Sequence, residues 1–386
     1  MQHHASHRRL GRLLSQLLQT YSAKEYPFNQ PNVQPPQLLL PEDFPKGGLT
    51  HAFFLFVLCY WMRGGIESDT AIMSLSQLYR LDPELFDPFK VQFMDLERLV
   101  DLLGYVGLGF SKWDNGDFWI SNAAFLVNRW HGDPRNIFAD FSRFGEKRKW
   151  EVAVARIKNK GKRGNRGGFA GFREKMVSML IYFLMEQGLI ATFDFPIPVD
   201  FHVARMMIIH RVFDLKPGVK YTGRHLDGLL DDIRYTSYRY AKRHHISSLV
   251  LSNILWLYSR SMCSENPVFK ASFGDGTGRS TEIIIPAITW TPTKLRSYAR
   301  TCGSCQVGDT CVFVVRSAHW YKHGSIVRDG DKQEPEQGQL LAPLENSRTY
   351  GGGVPNGARR VTTQAIPLRA TIQETADQDQ LSITFD

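Results

Sequence analysis

Apolar residues recur at three- and four-residue steps along much of this chain, which is the period of one helix face. The clearest case is 176–184, where Met176, Met179, Leu180, Phe183 and Leu184 fall on one side and Gly188 supplies a left-handed end. Upstream, the dense apolar run 53–62 reads as a buried helix, 68–78 keeps helical spacing, 96–103 ends near Gly104, and 119–130 gives another helix. Residues 82–88 read as a turn. Downstream, 203–213, 225–230 and 246–258 are helical in pattern. The two ends differ. A lead-in, 1–48, carries a short basic amphipathic helix over 9–18, then a proline-rich stretch, 30–45, expected to run extended over the surface. Beyond Cys311, 312–326 has strand character, 332–356 has the composition of a linker, and 358–386 has room for one or two strands.

With 386 residues, 43% of them hydrophobic, the chain can bury the core of one or two domains. No apolar run is long enough to span a membrane, since the run 52–62 closes at Arg63. No secretory leader is visible in the opening residues, so a cytoplasmic, intracellular protein is expected. The formal net charge of +9 and pI near 9.3 favour a polyanionic partner. The charge is concentrated in 142–168, through Lys147, Arg148, Lys149, Arg156, Lys158, Lys160, Lys162, Arg163 and Arg166. The part 158–168 is also rich in glycine and is expected to be a mobile loop, with Lys160, Lys162, Arg163 and Arg166 as phosphate contacts.

Two features carry candidate chemistry. Phe195-Pro196-Ile197-Pro198 is extended, because each proline restricts the residue before it, and it delivers Asp200 to the start of a helix. A carboxylate there would accept backbone N–H groups. The second feature is cysteine. Five are present, too few and too unevenly spaced for a disulfide framework. Cys302, Cys305 and Cys311 form C-x2-C-x5-C, and Cys263 makes a fourth thiolate. Four thiolates suit either tetrahedral zinc or an iron–sulfur cluster, and the residues alone leave both open. Cys59, inside an apolar run, reads as a small buried hydrophobe.

The run Val199-Asp200-Phe201-His202-Val203-Ala204-Arg205 resembles the V-D-x-H-(I/V)-x-R signature of the helix-hairpin-helix DNA glycosylases, the endonuclease III superfamily. Phe169-Ala170-Gly171-Phe172-Arg173-Glu174-Lys175-Met176-Val177 is similar to that family's L-P-G-V-G-R-K-T-A hairpin, with Arg173 in place of the second glycine. Residues 105–112 resemble the I-G-(L/F)-x-x-x-K turn that precedes a long helix in the family, and 131–134 resemble that helix's ending. The cysteines resemble the C-x6-C-x2-C-x5-C cluster loop, with a much longer gap between Cys263 and Cys302. The likeness spans roughly residues 50–315.

The resemblance implies an all-α, two-lobed fold with a cleft between the lobes and an iron–sulfur cluster loop. It implies an N-terminal extension (1–48), a glycosylase domain (49–312) containing the cluster loop (263–311), and a partly irregular C-terminal extension (313–386). It implies a monomeric DNA glycosylase that flips a damaged or modified base out of duplex DNA and cleaves its N-glycosidic bond, without a membrane partner. Asp200 would be catalytic, and Lys175 would be the amine of an associated AP-lyase activity. Gly171 and Arg173 would meet phosphate, with Arg296 and Arg300 as further contacts near the cluster. Trp61 and Arg63 stand where the family carries a wedge or base-pocket segment, and His202 reads as structural. Cys263, Cys302, Cys305 and Cys311 would hold a [4Fe-4S] cluster. The excised base is left open between an oxidised purine, another lesion and a hypermodified base. A non-catalytic DNA-binding relative, and a glycosidase acting on a modified nucleoside or RNA, are the alternatives.

Overall fold

The computed structural model describes residues 3–62, 68–107, 111–161, 164–214, 220–221, 223–263, 270–273, 281–284, 301–311, 319–321, 340–341, 369–374 and 381–385. These residues are mainly helical. In order come α1 (His7–Ser22), α2 (Leu49–Trp61), α3 (Ser68–Leu81), α4 (Pro88–Val91), α5 (Leu96–Tyr105) and α6 (Lys112–Trp130). They are followed by α7 (Glu146–Ile157), α8 (Glu174–Glu186), α9 (Phe201–Ile209), α10 (Gly223–Arg243) and α11 (Ser248–Cys263). Among the described residues, no helix is long and apolar enough to cross a membrane.

The helices gather around two cores. The first is built on α2, which is apolar on every side and therefore buried on every side. Phe56 of α2 packs against Phe169 and Phe172 with ring centroids 4.8 and 5.1 Å apart. Phe54 stacks on Phe86 at 5.1 Å, and Tyr60 and Trp61 meet the edge of Trp119 on α6. The apolar faces of α3, α5, α6, α7 and α8 close around this centre. The second core joins α9, α10 and α11 to α1.

The place of α1 revises the expected role of 1–48. Leu10, Leu13, Leu14 and Leu17 recur at helical spacing and are fully buried against α9 and α11. Ser6 caps the helix through the Arg9 amide, and its own N–H donates to Val212 O at 2.8 Å. The proline-rich segment does not simply cover the surface either. Pro36 and Gln37 are buried, and Leu40 and Phe44 join the first core. The lead-in therefore ties the two cores together.

Other differences are local. A helix, α7, forms within the basic region because Trp150, Ala153 and Ile157 share one face and are buried, although charges outnumber them in the sequence. The long helix expected from 119 begins earlier, at Lys112. Where 203–213 reads as one apolar run, α9 ends at Ile209, and Arg211 adopts φ 51° beyond it. Expected strand character near the C-terminus takes the form of one three-stranded antiparallel sheet, His319–Tyr321, Arg369–Glu374 and Leu381–Phe385. Two further antiparallel pairs join Lys270–Phe273 to Thr281–Ile284, and Lys220–Tyr221 to Leu340–Leu341.

Candidate active site

The connection between α7 and α8 is a compact hairpin held by two asparagines. Asn122, fully buried on α6, donates to Ala170 O at 3.0 Å and accepts from Ala170 N at 2.7 Å. Asn159, equally buried, accepts from Arg166 N at 2.9 Å and Gly161 N at 3.3 Å, and donates to Gly164 O at 2.6 Å. The glycine-rich segment expected to be mobile is therefore knitted around Asn159 in its described part. Backbone crowding explains one glycine: a Cβ on Gly168 would lie 2.3 Å from Lys158 O. Gly171 takes φ 79°, a left-handed conformation that suits glycine and turns the chain into α8. At the start of α8, Arg173 is exposed and no side chain caps the first turn.

Asp200 sits across from this hairpin, at the N-terminus of α9. Its Oδ1 accepts from His202 N at 2.9 Å and Val203 N at 3.1 Å. Its Oδ2 accepts from Trp256 Nε1 on α11 at 2.9 Å. Buried hydrophobic residues Ile197 and Val199 anchor the extended approach in the second core. His202 lies edge-on to Trp256 at 5.9 Å, and burial lowers its imidazole pKa to about 4, so the ring is neutral near pH 7.

Lys175 lies in the first turn of α8, on the side of the first core, and is partly open to solvent. Burial pushes its amine below the ordinary lysine value. The negative charge of Asp200 opposes that shift and the positive charge of Arg234 adds to it. An aspartate from one core and a lysine from the other thus lie within electrostatic reach.

The residue before Lys175 fixes the local frame. Glu174 accepts from Lys158 Nζ at 2.5 Å and from Tyr235 Oη at 2.9 Å, and Arg234 Nη1 stands 3.7 Å from its second oxygen. Burial pushes the Glu174 carboxyl up, but these partners outweigh it and hold it below the usual carboxylate range. Arg234 is itself buried and also pairs with Asp231. This network joins the hairpin to α10. The sequence alone did not mark Asn122, Glu174, Arg234 or Trp256, since each matters through partners tens of residues away, nor Asn159, whose partners are backbone groups of its own loop.

The remaining site residues divide. Lys160 and Arg166 are exposed on the hairpin, as are Lys147 and Arg148 on α7. Arg156 and Lys149 are instead used within the fold, by Asp140 and Glu146. Trp61 is fully buried against Trp119, so its ring belongs to the first core, and its indole N–H has no partner among the described residues. Arg63, Lys162, Arg163, Arg296 and Arg300 lie outside the described residues.

All four cysteines of the motif pack at the edge of the second core, whereas Cys59 is fully buried in the first. The loop carrying Cys302, Cys305 and Cys311 docks on α11 and α9. Tyr258 Oη receives the Gln306 amide at 3.0 Å and lies 3.3 Å from Cys305 Sγ, while His210 Nδ1 meets Thr310 Oγ1 at 2.7 Å. Arg205, the last residue of the 199–205 motif, is buried and donates to Cys263 O at 2.5 Å. Burial first, then the neighbouring Cys305 and Cys302, push the Cys263 thiol up to about 12. A thiol raised by burial and by neighbouring thiols in this way is one that a bound cation would relieve. Among the described residues, no three His, Cys, Asp or Glu side chains are gathered closely enough for one metal ion. A cubane spreads its thiolates over four irons and asks for a wider spacing than a single tetrahedral ion.

No protein-family model matches the chain, and no curated protein matches it.

Proposed function

We propose that the chain is a DNA glycosylase acting at the junction of its two cores. The observation that supports this reading is that Asp200 and Lys175 lie within electrostatic reach of each other. A carboxylate fixed at a helix start and an amine depressed by burial sit beside a hairpin whose exposed groups are Arg173, Lys160 and Arg166.

The duplex would lie against that hairpin. Backbone amides at the uncapped start of α8 and the exposed cations would bind phosphate, which fixes register without reading sequence. The target nucleotide must leave the stack for its C1′ to be reached. As the C1′–N bond breaks, the electron pair leaves with the base nitrogen and positive charge develops on the sugar. Asp200 would stabilise that charge. Water then adds at C1′ and gives up a proton, for which the carboxylate is an acceptor. At an abasic site, the neutral amine of Lys175 would add to the C1′ aldehyde, and the adduct would take up a proton from solvent and lose water to form an iminium. That step is what a lyase needs before the 3′ phosphate is eliminated.

The reading includes a [4Fe-4S] cluster that Cys263 from α11 and Cys302, Cys305 and Cys311 from the docked loop would hold, since all four pack at the edge of the second core. Such a cluster would act structurally, fastening the loop to the second core. Purified protein is expected to show visible charge-transfer absorbance, with iron and acid-labile sulfide in equal amounts. Cys305→Ser should lose both, and wild-type protein containing neither would refute the cluster.

The test of function is incubation with duplexes carrying individual oxidised, alkylated, deaminated and hypermodified bases, with and without alkali. Base release makes the strand alkali-labile, whereas lyase action nicks it without alkali. Failure of every duplex to yield an abasic site would overturn the proposal.

A further inference from the structure

Asp200 does more than cap α9, because its two oxygens are committed to different elements. Oδ1 takes both backbone N–H groups of the cap, and Oδ2 takes the indole N–H of Trp256, a residue 56 positions away on α11. An ionised carboxylate offers about four lone-pair sites. Three are filled, so among the described residues one direction on Oδ2 is uncommitted. The cap alone fixes Oδ1, and it is the second contact that sets the plane of the group.

The indole is itself held from two sides. The Arg260 guanidinium lies over its ring at 5.2 Å, and His202 meets it edge-on at 5.9 Å. Arg260 is in turn paired with Asp69 on α3, an element of the first core. A cation over the ring face also draws electron density from the indole, which strengthens its N–H as a donor.

We infer that Trp256 is the positioning residue for Asp200, fixing the carboxylate so that its single uncommitted lone pair points in one direction for the reacting sugar and its water. This rests on the function proposed above. It assigns no contact between the indole and substrate.

The test uses the full chain and the variants Trp256→Phe and Asp200→Asn. Phenylalanine keeps an aromatic ring for Arg260 and His202 and removes the donor together with the five-membered part of the indole. In single-turnover base excision, Trp256→Phe is expected to slow the chemical step about tenfold to a hundredfold, the scale of a misplaced reacting group. Its affinity for the same duplex should stay within about threefold of wild type, because the indole is placed on the acid and not on DNA. A merely structural role would move affinity and stability along with rate. A second readout needs no substrate. The indole N–H resonance absent from Trp256→Phe should shift upfield in Asp200→Asn, where an amide replaces the charged acceptor. An unmoved resonance, or Trp256→Phe excising like wild type while Asp200→Asn is inactive, overturns the inference and leaves the proposed function standing. Equal excision by wild type and Asp200→Asn overturns the proposed function, and this inference with it.

Discussion

Replacing Asp200 with asparagine separates a helix cap from a catalytic carboxylate. Asparagine caps a helix about as well as aspartate, so the Oδ1 bonds to His202 N and Val203 N can survive. What changes is the other oxygen. An amide NH2 would face the Trp256 N–H, two donors where the native pair has a donor and an acceptor. Losing that hydrogen bond at a half-buried position costs about 1–2 kcal/mol. Losing the negative charge beside the α9 N-terminus adds about 0.3–1 kcal/mol. Stability should therefore fall by about 1–3 kcal/mol, which leaves a domain of ordinary stability almost wholly folded. Removing an electrostatic stabiliser of the transition state costs about 3–4 kcal/mol of barrier, or about 100- to 1,000-fold in rate. Urea denaturation measures the first quantity, and single-turnover excision on a labelled duplex measures the second. A variant that loses the stated stability and still excises within about threefold of wild type would show that the carboxylate is a cap and nothing more.

Lys175→Gln should abolish borohydride trapping to an abasic-site duplex; in wild type, trapping should rise with pH as the burial-depressed amine loses its proton, and a gel of trapped product at several pH values checks both. Asn122→Ala leaves the buried carbonyl of Ala170 without its partner and should cost about 2–3 kcal/mol, read as a lower urea midpoint. His51 and His210 are buried, and burial lowers their folded pKa values to about 4 and about 3 against an ordinary 6.5. The unfolded chain takes up these protons first, so their contribution is complete above pH 6.5 and is lost as pH falls to about 4 for His51 and about 3 for His210. Each should cost about 1.4 kcal/mol for every pH unit between 6.5 and its folded value, and urea midpoints at neutral and mildly acidic pH in wild type and His51→Gln test the slope.

The chain's own pattern settled its helical character and most of its helices. Apolar spacing marks α2, α3, α5, α8 and α11 because each buries a face, or in α2 and most of α8 the whole circumference, and burial is what that spacing records. Asp200 as an N-cap was equally legible, since a short acid after two prolines and before an apolar run is a local signal. Cys302, Cys305 and Cys311 were marked by their spacing. Tertiary structure decided what these residues meet. Leu10 and Leu17 read as part of a lead-in, yet they are core, because the surface that covers them belongs to α9 and α11, far along the chain. Asn159 sits in what reads as a loose glycine-rich loop, yet it orders that loop through three backbone groups. Trp256 looked like one more apolar residue of a helix, and only the approach of α11 to α9 puts its N–H on Asp200. Periodicity registers that a side chain leaves water; it carries no record of which distant polar atom that side chain will find there.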